Sequence, residues 1–388
     1  MKIGKRLWVF HPECEMAIAN GSPYYMPPAR IVRMGEELAF LPAYLAEKGD
    51  GVLVKELPDD EFMASVYRKL DLSICCVRET ELGTEGGWVP KPWGWSPKMC
   101  HWCSLRGMGE EWRPEQKEWY SRKVARDGLA QLLEWNSELN PMMLPELCYS
   151  IDDVEQKMKD GDYLAKAPWS SSGKGILTLK KTLAVKEKEW LSGILKSQGY
   201  LMLERKWNKL RDFAMEFRKT AETVEFIGWS LFTTGGHGEY RGNYLGRQSV
   251  MEERLAEEVG WSRLEWMKRQ LPVMLAALLP AYEGYLGVDM MVYADESGKY
   301  ALHPCVEINL RYNMGIVALY LSRRYLGEST EGEFTIHYYA GAGEARKEQH
   351  RLQQACPVVY KNNRIVSGYL NLTPVTEATH FVASVRCY

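Results

Sequence analysis

The chain has 388 residues, 46% hydrophobic and 26% charged, an ordinary globular composition too long for one core, so two or three domains are expected. Lys plus Arg number 49 against 51 Asp plus Glu, a balance that excludes a global field for nucleic acid or an anionic membrane and leaves anion recognition to local sites. The nine cysteines are scattered and odd in number, unlike a secreted disulfide framework, and reduced thiols are expected.

The chain opens on a predicted strand, "KRLWVFHP" (5–12). Its apolar run "LWVF" is too short for a signal-peptide core, and nothing later approaches the ~18 apolar residues of a membrane span. A cytoplasmic protein without membrane contact is the expectation. A loop "NGSPYYMPPAR" (20–30), a helix over "GEELAFLPAYLAEKGD" (35–50) and a second strand "GVLVKEL" (51–57) follow. That order predicts a parallel α/β unit. The segment 83–97, "GTEGGWVPKPWGWSP", reads as an ordered, aromatic-packed loop. "CHWC" (100–103) is half a zinc motif; with only His101 and the Cys75, Cys76 pair nearby, buried thiols are the better reading of Cys100 and Cys103.

Residues 115–139 carry apolar side chains at helical spacing and predict one helix. "SIDDVEQKMKDG" predicts a short helix with a capping box from Ser150 to Asp153. Two strands, "DYLAKAP" (162–168) and "GILTLKK" (175–181), then flank "SSSGKG" (170–175). A Walker P-loop is excluded there: its first glycine position holds Pro168, its Ser/Thr position holds Gly175, and a strand, not a helix, follows. A strand–loop–strand of this composition is a flap whose N–H groups close over phosphate, with Lys166 in reach as a point charge.

Farther on, "LGVDMMVY" (286–293), the turn "ADESGK" and "YALHPCVEINL" (300–310) form a predicted antiparallel hairpin. Strand alternation puts Glu307, Asn309 and Arg311 on one face, with Asp289 opposite on the partner strand. Two carboxylates and an amide oxygen are hard ligands of the kind Mg²⁺ takes, and Arg311 adds a fixed cation for a transferring phosphoryl group.

Over residues 121–315 these pieces, in this order, resemble the ATP-grasp superfamily, which includes D-alanine:D-alanine ligase, biotin carboxylase and carbamoyl-phosphate synthetase. The resemblance implies an α/β (α+β) fold: an N-terminal α/β pre-ATP-grasp domain (1–114), a linker helix and small lid subdomain (115–205), and a C-terminal antiparallel-sheet subdomain (206–388), with strands beyond residue 327 completing it. It implies ATP binding by Lys123, Lys166 and the flap residues Ser171, Ser172, Gly173, Lys174 and Gly175, by the hinge Glu204, Arg205 and Lys206, and by Asp212, an aspartate where glutamate is more usual. The metal ligands implied are Asp289, Glu307 and Asn309, holding two Mg²⁺ ions, or Mn²⁺ in their place.

The catalytic group is then Arg311, Lys166 and Arg247. Arg241, Asn243, Arg247 and His237 lie in a glycine-rich stretch suited to a carboxylate or phosphate, and Glu15 and Asn20 follow the first strand, where α/β sheets place ligands. The implied reaction joins a small-molecule or peptide carboxylate to an amine through an acyl phosphate, releasing ADP and phosphate. A kinase of a small acceptor and a non-catalytic nucleotide-binding protein are the alternatives. No nucleic acid partner is implied; a homodimer is.

Overall fold

A computed structural model describes residues 4–83, 87–109, 111–170, 175–236 and 238–388. Three sheets organise them. The first has strands β1 (Lys5–Val9), β2 (Gly51–Val54), β3 (Cys75–Arg78) and β4 (Trp88–Pro92) in the order β3-β2-β1-β4, all parallel. The expected α/β unit is therefore present, with two differences in its elements. The helix expected over 35–50 instead runs Ala29–Glu37, and only a single 3₁₀ turn, Leu41–Tyr44, follows. Pro42 lacks an N–H and disfavours helical backbone at Leu41, which ends the longer helix early. The expected loop at 83–97 contains β4, where Pro90 and Pro92 are tolerated because β4 is an edge strand.

The second sheet, ordered β5-β8-β6-β7, contains β5 (Glu146–Cys148), β6 (Tyr163–Lys166), β7 (Ile176–Leu179) and β8 (Leu201–Arg205), all antiparallel. Its small core of Tyr163, Ala165, Leu179, Leu201 and Leu203 is closed by Val154 and Leu191 from the helices Ile151–Lys157 and Val185–Gln198. Ser150 and Asp153 form the expected capping box.

The third sheet has nine strands ordered β13-β12-β9-β10-β11-β14-β17-β16-β15. They are β9 (Asn208–Lys219), β10 (Val224–Thr234), β11 (Tyr240–Leu245), β12 (Gly284–Ala294), β13 (Tyr300–Asn309), β14 (Gly332–Tyr338), β15 (Val359–Lys361), β16 (Arg364–Asn371) and β17 (Phe381–Cys387). Alternation divides β9 cleanly: Phe213, Met215 and Phe217 join a core with Leu129, Leu255 and Leu271 from the helices Arg122–Trp135, Gln248–Val259 and Trp261–Leu278. Asp212, Ala214, Glu216 and Arg218 therefore point to the opposite face. On that side the helix Met314–Arg324 and the final strands share one core with Phe40, Tyr44 and Val52 of the first sheet's layer.

The helix expected over 115–139 is broken into Gln116–Trp119 and Arg122–Trp135. Ser121 Oγ accepts from the Lys123 N–H at 3.1 Å and starts the second piece, while the Arg122 N–H turns to the Pro168 carbonyl at 2.9 Å. No helix of the described residues is long and apolar enough to cross a membrane. Cys100 and Cys103 are buried cysteines on the helix Pro97–Ser104.

Candidate functional site

Strand pairing assembles the site from residues far apart in sequence. Across β9, β12 and β13, one row joins Glu216, Gly287 and Asn309; the next joins Ala214, Asp289 and Glu307; the next joins Asp212, Met291 and His303. In the other direction Arg218 pairs with Tyr285, and Arg311 lies just past the end of β13. One face of one sheet thus runs from Asp212 through a carboxylate cluster to arginines, over ~20 Å at ~3.4 Å per residue of β9. Lys166, Glu204 and Arg122 reach this face from neighbouring elements.

The carboxylate cluster is dense. Asp289 is held well above the usual carboxylate range by burial, then by the charges of Glu307 and Glu216, although it accepts from Asn309 Nδ2 at 3.0 Å. Burial pushes the Glu216 carboxyl up to about 8, opposed by the Asn313 amide, which donates to it at 2.8 Å, and by the Arg311 charge. Neighbouring glycines make room: a Cβ at Gly287 would meet the Glu216 carboxylate at 2.6 Å. Arg311 donates to Asn309 Oδ1 at 3.3 Å and to the Tyr312 carbonyl at 3.1 Å, and it is ion-paired with Glu15.

Among the described residues no group of three or more His, Cys, Asp or Glu side chains converges to hold a metal ion. The candidate donors are therefore two carboxylates, Asp289 and Glu307, and the Asn309 amide oxygen. Their chemistry fits a hard dication: the Asp289 carboxyl, held in a costly environment by burial and by the Glu307 charge, is relieved by a positive ion.

The lid contributes Lys166 at the end of β6, ion-paired with Glu204 on β8 and nearly buried with it. Beside them lies His303, whose imidazole is lowered to about 3 by burial and by the Lys166 charge, so it is neutral. Gly175, just ahead of β7, has φ +73°, and a Cβ there would meet Ser170 at 2.7 Å; its carbonyl accepts from the Ala167 N–H at 2.8 Å. Only glycine meets both demands without strain. The flap residues Ser171, Ser172, Gly173 and Lys174, and also His237, lie outside the described residues.

Several expected residues stand elsewhere or are otherwise engaged. Lys123 pairs with Asp127 one turn along its helix at 2.8 Å, and it is the preceding Arg122 that enters the site. Asp212 accepts from Lys209 at 2.5 Å and from Thr234 Oγ1 at 2.7 Å. Arg205 faces Glu296 at 3.7 Å, and the Lys206 side chain is exposed while its N–H donates to the Asp162 carbonyl. Arg247 is exposed at the start of the helix Gln248–Val259, just past β11 and four strands from Asn309, ~19 Å at ~4.8 Å per strand. The structure thus separates Arg247 from the cluster. Arg241 is exposed and pairs with Glu239, Asn243 is buried against Ser230 and the Leu231 carbonyl, and exposed Asn20 accepts from the Ser22 N–H.

Sequence reasoning passed over Glu216, Asn313, His303 and Arg122. The alternation of "RDFAMEF" carried a signal for Glu216, a carboxylate between apolar neighbours and in phase with Asp212. Nothing local distinguished Arg122 from Lys123.

No family model matches the sequence, and no curated protein matches it. Solved structures share the fold. Biotin carboxylase from Campylobacter jejuni, in its β-γ-ATP complex, is 10% identical with a TM-score of 0.51, over 99% of this chain and 87% of that one. Pyruvate carboxylase from Rhizobium etli is 12% identical with a TM-score of 0.52, over 99% of this chain and 36% of the larger one. The biotin carboxylase domain dimer of the Hydrogenobacter thermophilus 2-oxoglutarate carboxylase, with MgADP, ADP and bicarbonate, is 10% identical with a TM-score of 0.50, over 98% of this chain and 86% of that one. The chain has the ATP-grasp fold.

Proposed function

We propose that this chain is an ATP- and Mg²⁺-dependent ligase joining a carboxylate to an amine and releasing ADP and phosphate. The observation that carries the reading is the pair of adjacent rows that set Asp289 opposite Glu307, with Asn309 bonded to Asp289 on the same sheet face and Arg311 one step beyond. It is supported by the fold shared with the Campylobacter enzyme, whose complex contains an ATP ligand, and the Hydrogenobacter domain, described with MgADP.

In this reading a substrate carboxylate oxygen attacks the γ-phosphorus as the bond to ADP breaks. The amine nitrogen then attacks the acyl carbon, phosphate leaves, and the nitrogen loses a proton. Asp289, Glu307 and Asn309 would hold Mg²⁺, which when bound neutralises phosphate charge. Lys166 and the N–H groups around Gly175 hold the phosphates, Glu204 and the backbone after it hold the base, and Asp212 lies at the ribose end. Arg311, oriented by Glu15 and the Tyr312 carbonyl, keeps a cation where the transferring group meets the acceptor. A domain division at residues 114 and 205, and a homodimer like that named for the Hydrogenobacter domain, belong to the same proposal.

The test is product analysis with Mg-ATP and a pooled set of carboxylates and amines. ADP, free phosphate and a product one water lighter than its two substrates are expected. A phosphorylated product without free phosphate would make the protein a kinase.

A further inference from the structure

The carboxylate row ends at a cavity of about 310 Å³ between the parallel sheet and the nine-stranded sheet. This is at the small end of ligand cavities, ~300–1,000 Å³, and suits a small molecule. Its apolar wall is aromatic: Tyr312 is stacked with Tyr285 at 4.7 Å between ring centres and packs against Trp8 at 5.2 Å and Trp93 at 6.2 Å. These rings come from both layers, so the wall exists only in the assembled fold.

Three arginines line the same cavity. Arg6 is committed to Asp50 through two contacts of 3.0 and 2.9 Å, and Arg311 is ion-paired with Glu15. Arg218 is exposed on the site face between Tyr285 on β12 and Glu225 on β10, and it makes no ion pair within 4.0 Å among the described residues. Of the carboxylates on the lining, Glu47 is paired with Arg324 and Glu283 is exposed. β9, which carries Arg218, is separated by one strand from β13, which leads to Arg311, a spacing of ~10 Å that one ring with anions at opposite ends would span.

We infer that this cavity binds a small aromatic acid with a second anionic group, its reacting carboxylate at Arg311 and its second anion at Arg218. Naming the end at Arg311 as the reacting one rests on the ligase reading; the two-anion fit rests on the cavity alone. The second anion is a carboxylate or a phosphate, since a guanidinium accepts either as a planar fork.

The test titrates the intact protein without nucleotide and reads tryptophan fluorescence, to which Trp8, Trp93 and Trp95 at the cavity contribute. The probes are benzoate, terephthalate and 4-phosphonooxybenzoate. At least one doubly anionic probe is expected to bind tenfold or more tightly than benzoate, and whichever is tighter names the second anion. Arg218→Ala is expected to remove that preference and leave benzoate affinity within twofold. No response to any probe, benzoate binding as tightly as the others, or Arg218→Ala weakening all three alike overturns the inference. ADP release with Mg-ATP is measured separately: selective binding without ADP keeps the cavity assignment and rejects the ligase, whereas ADP formed with acids indifferent to Arg218 does the reverse.

Discussion

Arg122 and Glu307 are joined by a 2.9 Å ion pair that links the helix ahead of the lid to the carboxylate row. The same guanidinium donates to the Ala167 carbonyl at 2.7 Å and also to Ser170 Oγ, at the root of the flap. One nearly buried arginine therefore ties Ala167 and Ser170 to a candidate metal ligand. Its Nε finds no partner among the described residues, and its terminal nitrogens make those three contacts.

Replacing Arg122 with Ala leaves Glu307 without its cation and two flap-root acceptors without their donor. Loss of one partner of a buried pair costs about 3–5 kcal/mol, and the low end applies because Glu307 is partly exposed. Denaturant unfolding should show that loss, and calorimetry should show nucleotide binding at least tenfold weaker. Unchanged nucleotide affinity in a folded variant would remove the coupling.

Glu307→Gln and Asn309→Ala should each lower Mg²⁺-dependent turnover by more than about 100-fold, beyond the ~10–100-fold of outer partners, with the circular dichroism unchanged. ATP consumption at the parental rate in either variant would exclude these side chains as metal ligands.

Lys166→Ala removes the cation beside both Glu204 and His303. Nucleotide affinity should fall at least tenfold by calorimetry, and an unchanged value would count against the lid as the phosphate-binding element.

Glu216 gives stability an unusual pH dependence. Its folded carboxyl titrates at about 8 against a usual value of 4.5, so between those values the folded state holds a proton that the unfolded chain has lost. The stabilisation is complete below pH 4.5 and is lost as pH rises toward 8, by an amount of order a few kcal/mol. Glu216→Gln, which keeps an uncharged side chain of the same shape, should flatten the stability profile over that window. A profile as steep as the parent's would assign the proton to another group.

Gly175→Ala forces a side chain onto left-handed backbone and into Ser170. The cost, about 1–3 kcal/mol, should appear as faster hydrogen exchange in β6 and β7 and weaker nucleotide binding, with the core of the nine-stranded sheet still protected. Exchange unchanged in the lid strands would show that the flap's root adapts freely.

Much of the site was legible because β-alternation is strict. "VEINLR" put Glu307 and Asn309 on one face before any partner strand was known, and the hairpin brought Asp289 opposite Glu307. The order of elements from the parallel unit to the hairpin of Asp289 and Glu307 was equally readable, since periodicity and the Ser150 cap are local signals. Two elements were misread: the helix at 35–50 yielded to Pro42, a local signal passed over, and Trp88–Pro92 within the expected loop became an edge strand because β1 offered it a partner.

Tertiary structure alone decided which charges meet. Arg122 and Lys123 are adjacent and chemically similar, yet helix rotation sends one to Glu307 and the other to Asp127. Glu216 became part of the cluster because β9 lies between β10 and β12, a pairing no sequence period specifies, and Arg247 fell outside it for the same reason. The residue types and their faces are set by the chain's covalent period. Their company is set by strand order and helix packing, which depend on the whole core.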